Sequence, residues 1–122
     1  MTKLANRVHM FARPEVKDAL TEFFTSLLGC TLAYSSDAPG NPAPVLAFTF
    51  PGGGSLSVEF TADALDDEHA RRGLWIEVEA NDAARVQERV LAAGYPQIRY
   101  SGNDFFYVAA PGGQVLRIVS SA

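Results

Sequence analysis

Residues 7–29, RVHMFARPEVKDALTEFFTSLLG, and residues 73–94, GLWIEVEANDAARVQERVLAAG, read alike, and that repetition decides the fold. Each begins with a stretch that alternates apolar and polar residues, continues into an amphipathic helix and stops at a glycine. In the first, Arg7–Arg13 is a strand, Glu15–Leu28 a helix and Gly29 its stop. In the second, Gly73–Glu79 is a strand, Asp82–Ala93 a helix and Gly94 its stop. Val16, Leu20, Phe23 and Leu27 recur at helical spacing, as do Ala83, Val86, Val90 and Ala93, so each helix has one greasy face to lay on a sheet. Pro14 suits a first helical turn, Asn81 is the candidate N-cap of the second helix, and a glycine suits the left-handed position that ends each.

Working outward, the segments 45–50, 55–61, 97–101, 104–109 and 114–119 are short and rich in strand-forming residues. Pro51-Gly52-Gly53 and Pro111-Gly112-Gly113 stand between the last two strands of their halves. Ser35–Pro42 is loop, and it makes the first half longer than the second. A short helical link, Ala62–Arg71, joins the halves. The expected organisation is a first βαβββ module over 1–61, a linker over 62–72 and a second βαβββ module over 73–122, an α+β architecture.

The chain has 122 residues, a net charge of −4 and no basic cluster, a balance that argues against nucleic acid. Its acidity would suit a cationic ligand. Apolar runs fall short of the ~20 residues of a membrane span, and no signal peptide is expected before Arg7, which makes cytoplasmic the expected location. The single cysteine, Cys30, excludes an intrachain disulfide and a cysteine-based zinc site. Its place after Gly29 at the start of a strand suits a small buried hydrophobe.

Alternation sorts the strand faces. Val8, Met10 and Ala12, then Leu56, Val58 and Phe60, then Leu74, Ile76 and Val78, then Leu116 and Ile118 form the sets that the helices cover. The opposite faces collect His9, Phe11, Glu59, Trp75, Glu77 and Arg117, and a polar–aromatic face of this kind suits a small-molecule site. Trp75, Phe11 and Tyr107 offer flat surfaces for a planar ligand. Phe23, Phe24, Phe48 and Phe106 read as core.

The order β-α-β-β-β, repeated, resembles the vicinal oxygen chelate superfamily of glyoxalase I, bleomycin-resistance proteins and extradiol dioxygenases. The resemblance covers nearly the whole chain. It rests on His9 placed fourteen residues before Phe23-Phe24, on Leu27-Leu28-Gly29, and on the aromatic strand Phe105–Ala109 followed by Pro111-Gly112-Gly113. The resemblance implies curved sheets forming a cup with helices outside, a homodimer, and a divalent metal held by His and Glu from both modules. His9 and Glu59 match the first-module ligand positions. At the second-module positions the register gives Gly73 and Arg117, with His69 four residues upstream and out of register. An arginine stays charged at any working pH and repels a divalent cation, so no metal and no other cofactor is expected.

What replaces the metal is open between two readings. Glu59 and Arg117 form an internal ion pair filling the vacated place, or both bind a ligand with His9, Phe11, Trp75 and Tyr107. Three functions follow: a metal-free small-molecule binder like the drug-sequestering resistance proteins, a metal-dependent lyase, isomerase or dioxygenase of the same superfamily, or a closed structural or regulatory module. The first is the expected function, with a small-molecule ligand as partner.

Overall fold

The computed structural model describes residues 1–121, which separate into two compact units, one from Met1 to Ala64 and one beginning at Leu65. In the first unit, strand β1 (Arg7–Ala12) leads through a 3-10 turn (Pro14–Val16) into helix α1 (Lys17–Glu22) and a π-helical turn (Phe23–Leu27). Strands β2 (Thr31–Ser35), β3 (Val45–Thr49) and β4 (Ser55–Phe60) follow. The sheet order is β1-β4-β3-β2, with β1 parallel to β4 and the other pairs antiparallel. The parallel β1–β4 pair requires a long crossover, and the helical segment lies within it. That segment buries Leu20, Phe23 and Phe24, with Phe24 5.2 Å from Phe48 between ring centroids. Met10, Ala12, Leu46, Phe48, Leu56, Val58 and Phe60 are the sheet's share of the core.

The second unit repeats the plan. A single helical turn, α2 (Asp67–Ala70), precedes β5 (Trp75–Ala80), α3 (Ala83–Ala92), β6 (Gln97–Ile98), β7 (Tyr107–Ala109) and β8 (Val115–Ser120). The order is β5-β8-β7-β6, again with the first two strands parallel. Helix α3 packs on β5 and β8 and buries Ala83 and Val90, while Gln87 donates through Nε2 to the Ile118 carbonyl at 3.0 Å. The fold is therefore α+β, two βαβββ modules.

Several expected details differ. The link over 62–71 is helical only at Asp67–Ala70, where the Asp66 side chain caps the His69 N–H at 2.9 Å. Asp82, not Asn81, caps α3, because the helix starts at Ala83 and the side chain one residue before it is the one that accepts the Arg85 N–H, at 3.1 Å. Strand β5 starts at Trp75, since the Gly73 N–H is drawn back to the Ala70 carbonyl at the end of α2. Leu74 consequently lies outside the strand and is exposed, and Val8 near the start of β1 is also exposed. The segments 97–101 and 104–109 shorten to β6 and β7. Gly102 turns with φ +93°, and the Asn103 side chain accepts the Phe105 N–H at 3.0 Å, so a local turn replaces the ladder.

Candidate functional site

In the first unit β1 and β4 pair in register, His9 opposite Ser57 and Phe11 opposite Glu59. Because Ser57 and Glu59 are two residues apart, His9, Phe11 and Glu59 share the face turned away from the buried set. His9 Nδ1 and Ser57 Oγ share a hydrogen bond of 2.6 Å, and the imidazole meets the Phe11 ring edge-on at 5.0 Å. Phe11 is 58% exposed, far more than a core aromatic, and Glu59 is half-buried.

In the second unit Glu77, Arg117 and Tyr107 form one row across β5, β8 and β7. Arg117 Nη1 lies 3.5 Å from Glu77 Oε1, so within its own unit the arginine's ion-pair partner is the neighbouring strand's glutamate. Its guanidinium carbon sits 3.9 Å from the centroid of Phe105 and 5.8 Å from that of Trp75. Arg117 Nε is buried without a hydrogen-bond partner. Tyr107, 3% exposed, meets Trp75 at 5.6 Å and Tyr100 at 4.7 Å, both with steeply inclined rings. Trp75, Tyr107 and Arg117 are thus brought together as a cation–aromatic cluster.

The ladders also correct the expected equivalence of the two modules. His9 stands opposite Ser57, two residues before Glu59. The residue opposite Val115, two before Arg117, is Trp75 and not Gly73. If Arg117 takes the place of Glu59, then Trp75 takes the place of His9. The offset lies in the β5–β8 register itself, which would set Gly73 opposite Gly113, four residues before Arg117, even if β5 reached that far. His69 is used at the cap of α2, where its Nδ1 lies 2.7 Å from Asp66 Oδ1.

A divalent cation fits these residues poorly. An indole has no lone pair to give and a guanidinium is a permanent cation, so the second unit's pair supplies no ligand. Among the described residues no group of three or more His, Cys, Asp or Glu side chains is placed to hold a metal.

A cavity of about 310 Å³ opens in the second unit, at the lower end of the range typical of small-molecule sites. Trp75, Tyr100 and Tyr107 wall it, with Arg71, Arg72 and Asn103 among the polar lining. The Tyr100 hydroxyl donates to the Arg71 carbonyl at 3.1 Å, and burial with the neighbouring Tyr107 pushes the Tyr100 phenol above its ordinary pKa. Arg71 Nε is buried without a partner. Among the described lining residues none is acidic, so the lining is cationic where the chain's overall charge suggested the opposite. Arg71, Arg72, Tyr100, Asn103 and Phe105 escaped sequence reasoning. The one available signal was the Arg71-Arg72 doublet immediately before a strand.

No protein-family model matches the chain, and no curated protein does. Solved structures do. A glyoxylase/bleomycin resistance protein/dioxygenase domain from Frankia sp. is 19% identical with a TM-score of 0.71, over 100% of this chain and 94% of that one. The fosfomycin resistance protein FosX from Listeria monocytogenes, complexed with Mn(II) and sulfate, is 14% identical with a TM-score of 0.74, over 100% and 94%. Leishmania major glyoxalase I is 12% identical with a TM-score of 0.74, over 98% and 87%. At such identities the shared property is the backbone, and the chain has the fold of the vicinal oxygen chelate superfamily to which glyoxalases, bleomycin-resistance proteins and FosX belong.

Proposed function

We propose that this chain is a metal-free small-molecule-binding protein of the glyoxalase and bleomycin-resistance type, holding its ligand on the polar–aromatic sheet faces that carry His9, Phe11, Glu59, Trp75, Tyr107 and Arg117. One observation supports the reading: by strand register Trp75 and Arg117 take in the second unit the places that His9 and Glu59 hold in the first, and the two side chains meet as a cation–aromatic pair that offers no metal donor. Aromatic walls and fixed charges suffice for sequestration, which needs burial of the ligand and no catalytic group. The test is equilibrium binding by chelator-treated protein, followed through Trp75, the only tryptophan. Saturable binding of aromatic small molecules without added metal supports the reading; binding that appears only when metal is restored refutes it.

A second reading, a metal-dependent lyase, isomerase or dioxygenase, draws on His9 and Glu59 sharing one face in the first unit. The FosX structure, which contains Mn(II), belongs to the same fold. Among the described residues no helix is long and apolar enough to cross a membrane. We further propose that the protein is cytoplasmic and that it is a homodimer, the latter because β1 and β2 leave open sheet edges that a second copy would cover. Light scattering at tens of micromolar should give twice the mass of 13.1 kDa.

A further inference from the structure

We propose that the second-unit cavity takes a compact aromatic anion, a one- or two-ring carboxylate or a molecule of like charge and shape, with its ring against Trp75, Tyr100 and Tyr107 and its anionic group against Arg71 and Arg72. This rests on the small-molecule-binding reading and names the ligand class for one of its pockets. The shape argument comes from the walls. Trp75 and Tyr100 each meet the buried Tyr107 edge-on, at 5.6 and 4.7 Å, and the three aromatic side chains give the cavity walls suited to a ring. The volume of about 310 Å³ leaves room for a small ring system and little more.

The charge argument comes from the lining. Two adjacent arginines face the cavity, neither is held in an ion pair among the described residues, and no lining carboxylate competes for them. Both lining residues carry guanidinium groups, whose paired N–H donors match the two oxygens of a carboxylate. The main chain of Arg71 is anchored by the Tyr100 hydroxyl, so the ring wall and the charged wall are tied to one another at 3.1 Å. Asn103 has its side-chain oxygen engaged by the Phe105 N–H, which leaves the donor end of its amide for the ligand. Among the described lining residues the charged side chains are thus both cationic, and none carries a negative charge.

The experiment compares matched probes on the wild-type protein: 2-naphthoate, the neutral 2-naphthamide and the cationic 2-naphthylmethylamine, titrated calorimetrically and by quenching of Trp75. The carboxylate should bind at least tenfold more tightly than the amide, and the amine least. In Arg71→Gln/Arg72→Ala the carboxylate's affinity should fall to that of the amide, while the amide's own affinity holds. Equal affinity for carboxylate and amide, or preference for the amine, overturns the anionic ligand class yet leaves small-molecule binding intact. Persistence of the carboxylate preference in the double variant overturns the role of the two arginines. Binding of none of the three probes overturns the aromatic-anion proposal, and the broader reading then stands or falls on its own metal-free binding test.

Discussion

Arg117 holds its guanidinium carbon 3.9 Å from the centre of the Phe105 ring, with Trp75 at 5.8 Å and the Glu77 carboxylate at 3.5 Å. The cation is thus satisfied mainly by aromatic faces. The carboxylate beside it is about half exposed, and such a pair contributes little to stability, at most about 1 kcal/mol. A close aromatic stack contributes roughly 0.5–2 kcal/mol, depending on how far water is excluded.

Arg117→Lys should therefore lose about 1 kcal/mol in urea unfolding, since an ammonium keeps the charge but not the flat stack. Glu77→Gln should lose under about 0.5 kcal/mol. Arg117→Met should cost less than Arg117→Ala, because it keeps the packing of the long stem and removes the unpartnered buried Nε. A larger loss for Glu77→Gln than for Arg117→Lys would show that the ion pair, not the stack, holds the arginine.

The same substitution of donors governs metal. Nickel, zinc, manganese or iron(II) added to purified protein should leave the melting temperature unchanged. A specific metal at a hundredfold its dissociation constant would add about 2.7 kcal/mol, which a domain of this size displays as several degrees. The double variant Trp75→His, Arg117→Glu gives the second unit the donor types that His9 and Glu59 supply in the first, and it should acquire a metal response. A stoichiometric metal in the wild-type protein, lost on His9→Ala, would put the metalloenzyme reading first.

The repeat was legible because the helical stripes and their glycine stops are strong local signals. Leu20, Phe23 and Phe24 in one helix and Val90 in the other went to the core as their spacing indicates. Strand ends were less legible. The segments before β5 and β7 are taken up by local turns, the Gly73 N–H on the Ala70 carbonyl and the Phe105 N–H on the Asn103 side chain, which an alternating pattern does not register. The β5–β8 register, which alternation alone does not fix, makes Trp75 and not Gly73 the counterpart of His9. Arg71, Tyr100 and Asn103 were invisible for a related reason: they come from the turn after α2 and the segment between β6 and β7, which only tertiary structure brings to one cavity.

Gly113 has φ +95°, and a Cβ there would stand 2.8 Å from the Asp67 carbonyl carbon and closer still to its oxygen. Gly53, in the matching turn of the first unit, has φ +111° with nothing within 4 Å. Gly53→Ala should therefore lose only the backbone cost of positive φ, about 1–2 kcal/mol. Gly113→Ala should lose about 3 kcal/mol or more, since the backbone of Asp67 must also move. Equal losses in chemical denaturation would mean that the turn, not the close approach, demands glycine at 113.

Cys30 is 6% exposed, and burial pushes its thiol up to about 12. Its backbone N–H donates to the Phe24 carbonyl at 2.9 Å, fixing the residue at the end of the helical segment. At pH 8 the folded thiolate fraction is smaller than that of an ordinary cysteine by a factor on the order of a thousand. Native protein should thus resist a disulfide reagent that labels urea-unfolded protein at once. The linkage follows in sign: the unfolded thiol ionises near its ordinary value while the folded one keeps its proton, so the folded state binds more protons and stability falls as pH rises through about 9. By pH 10 wild-type protein should have lost roughly 1 kcal/mol more than Cys30→Ala has, relative to each protein's own value at pH 7. Parallel pH profiles for the two proteins, or rapid labelling of the native thiol, would place Cys30 in contact with water.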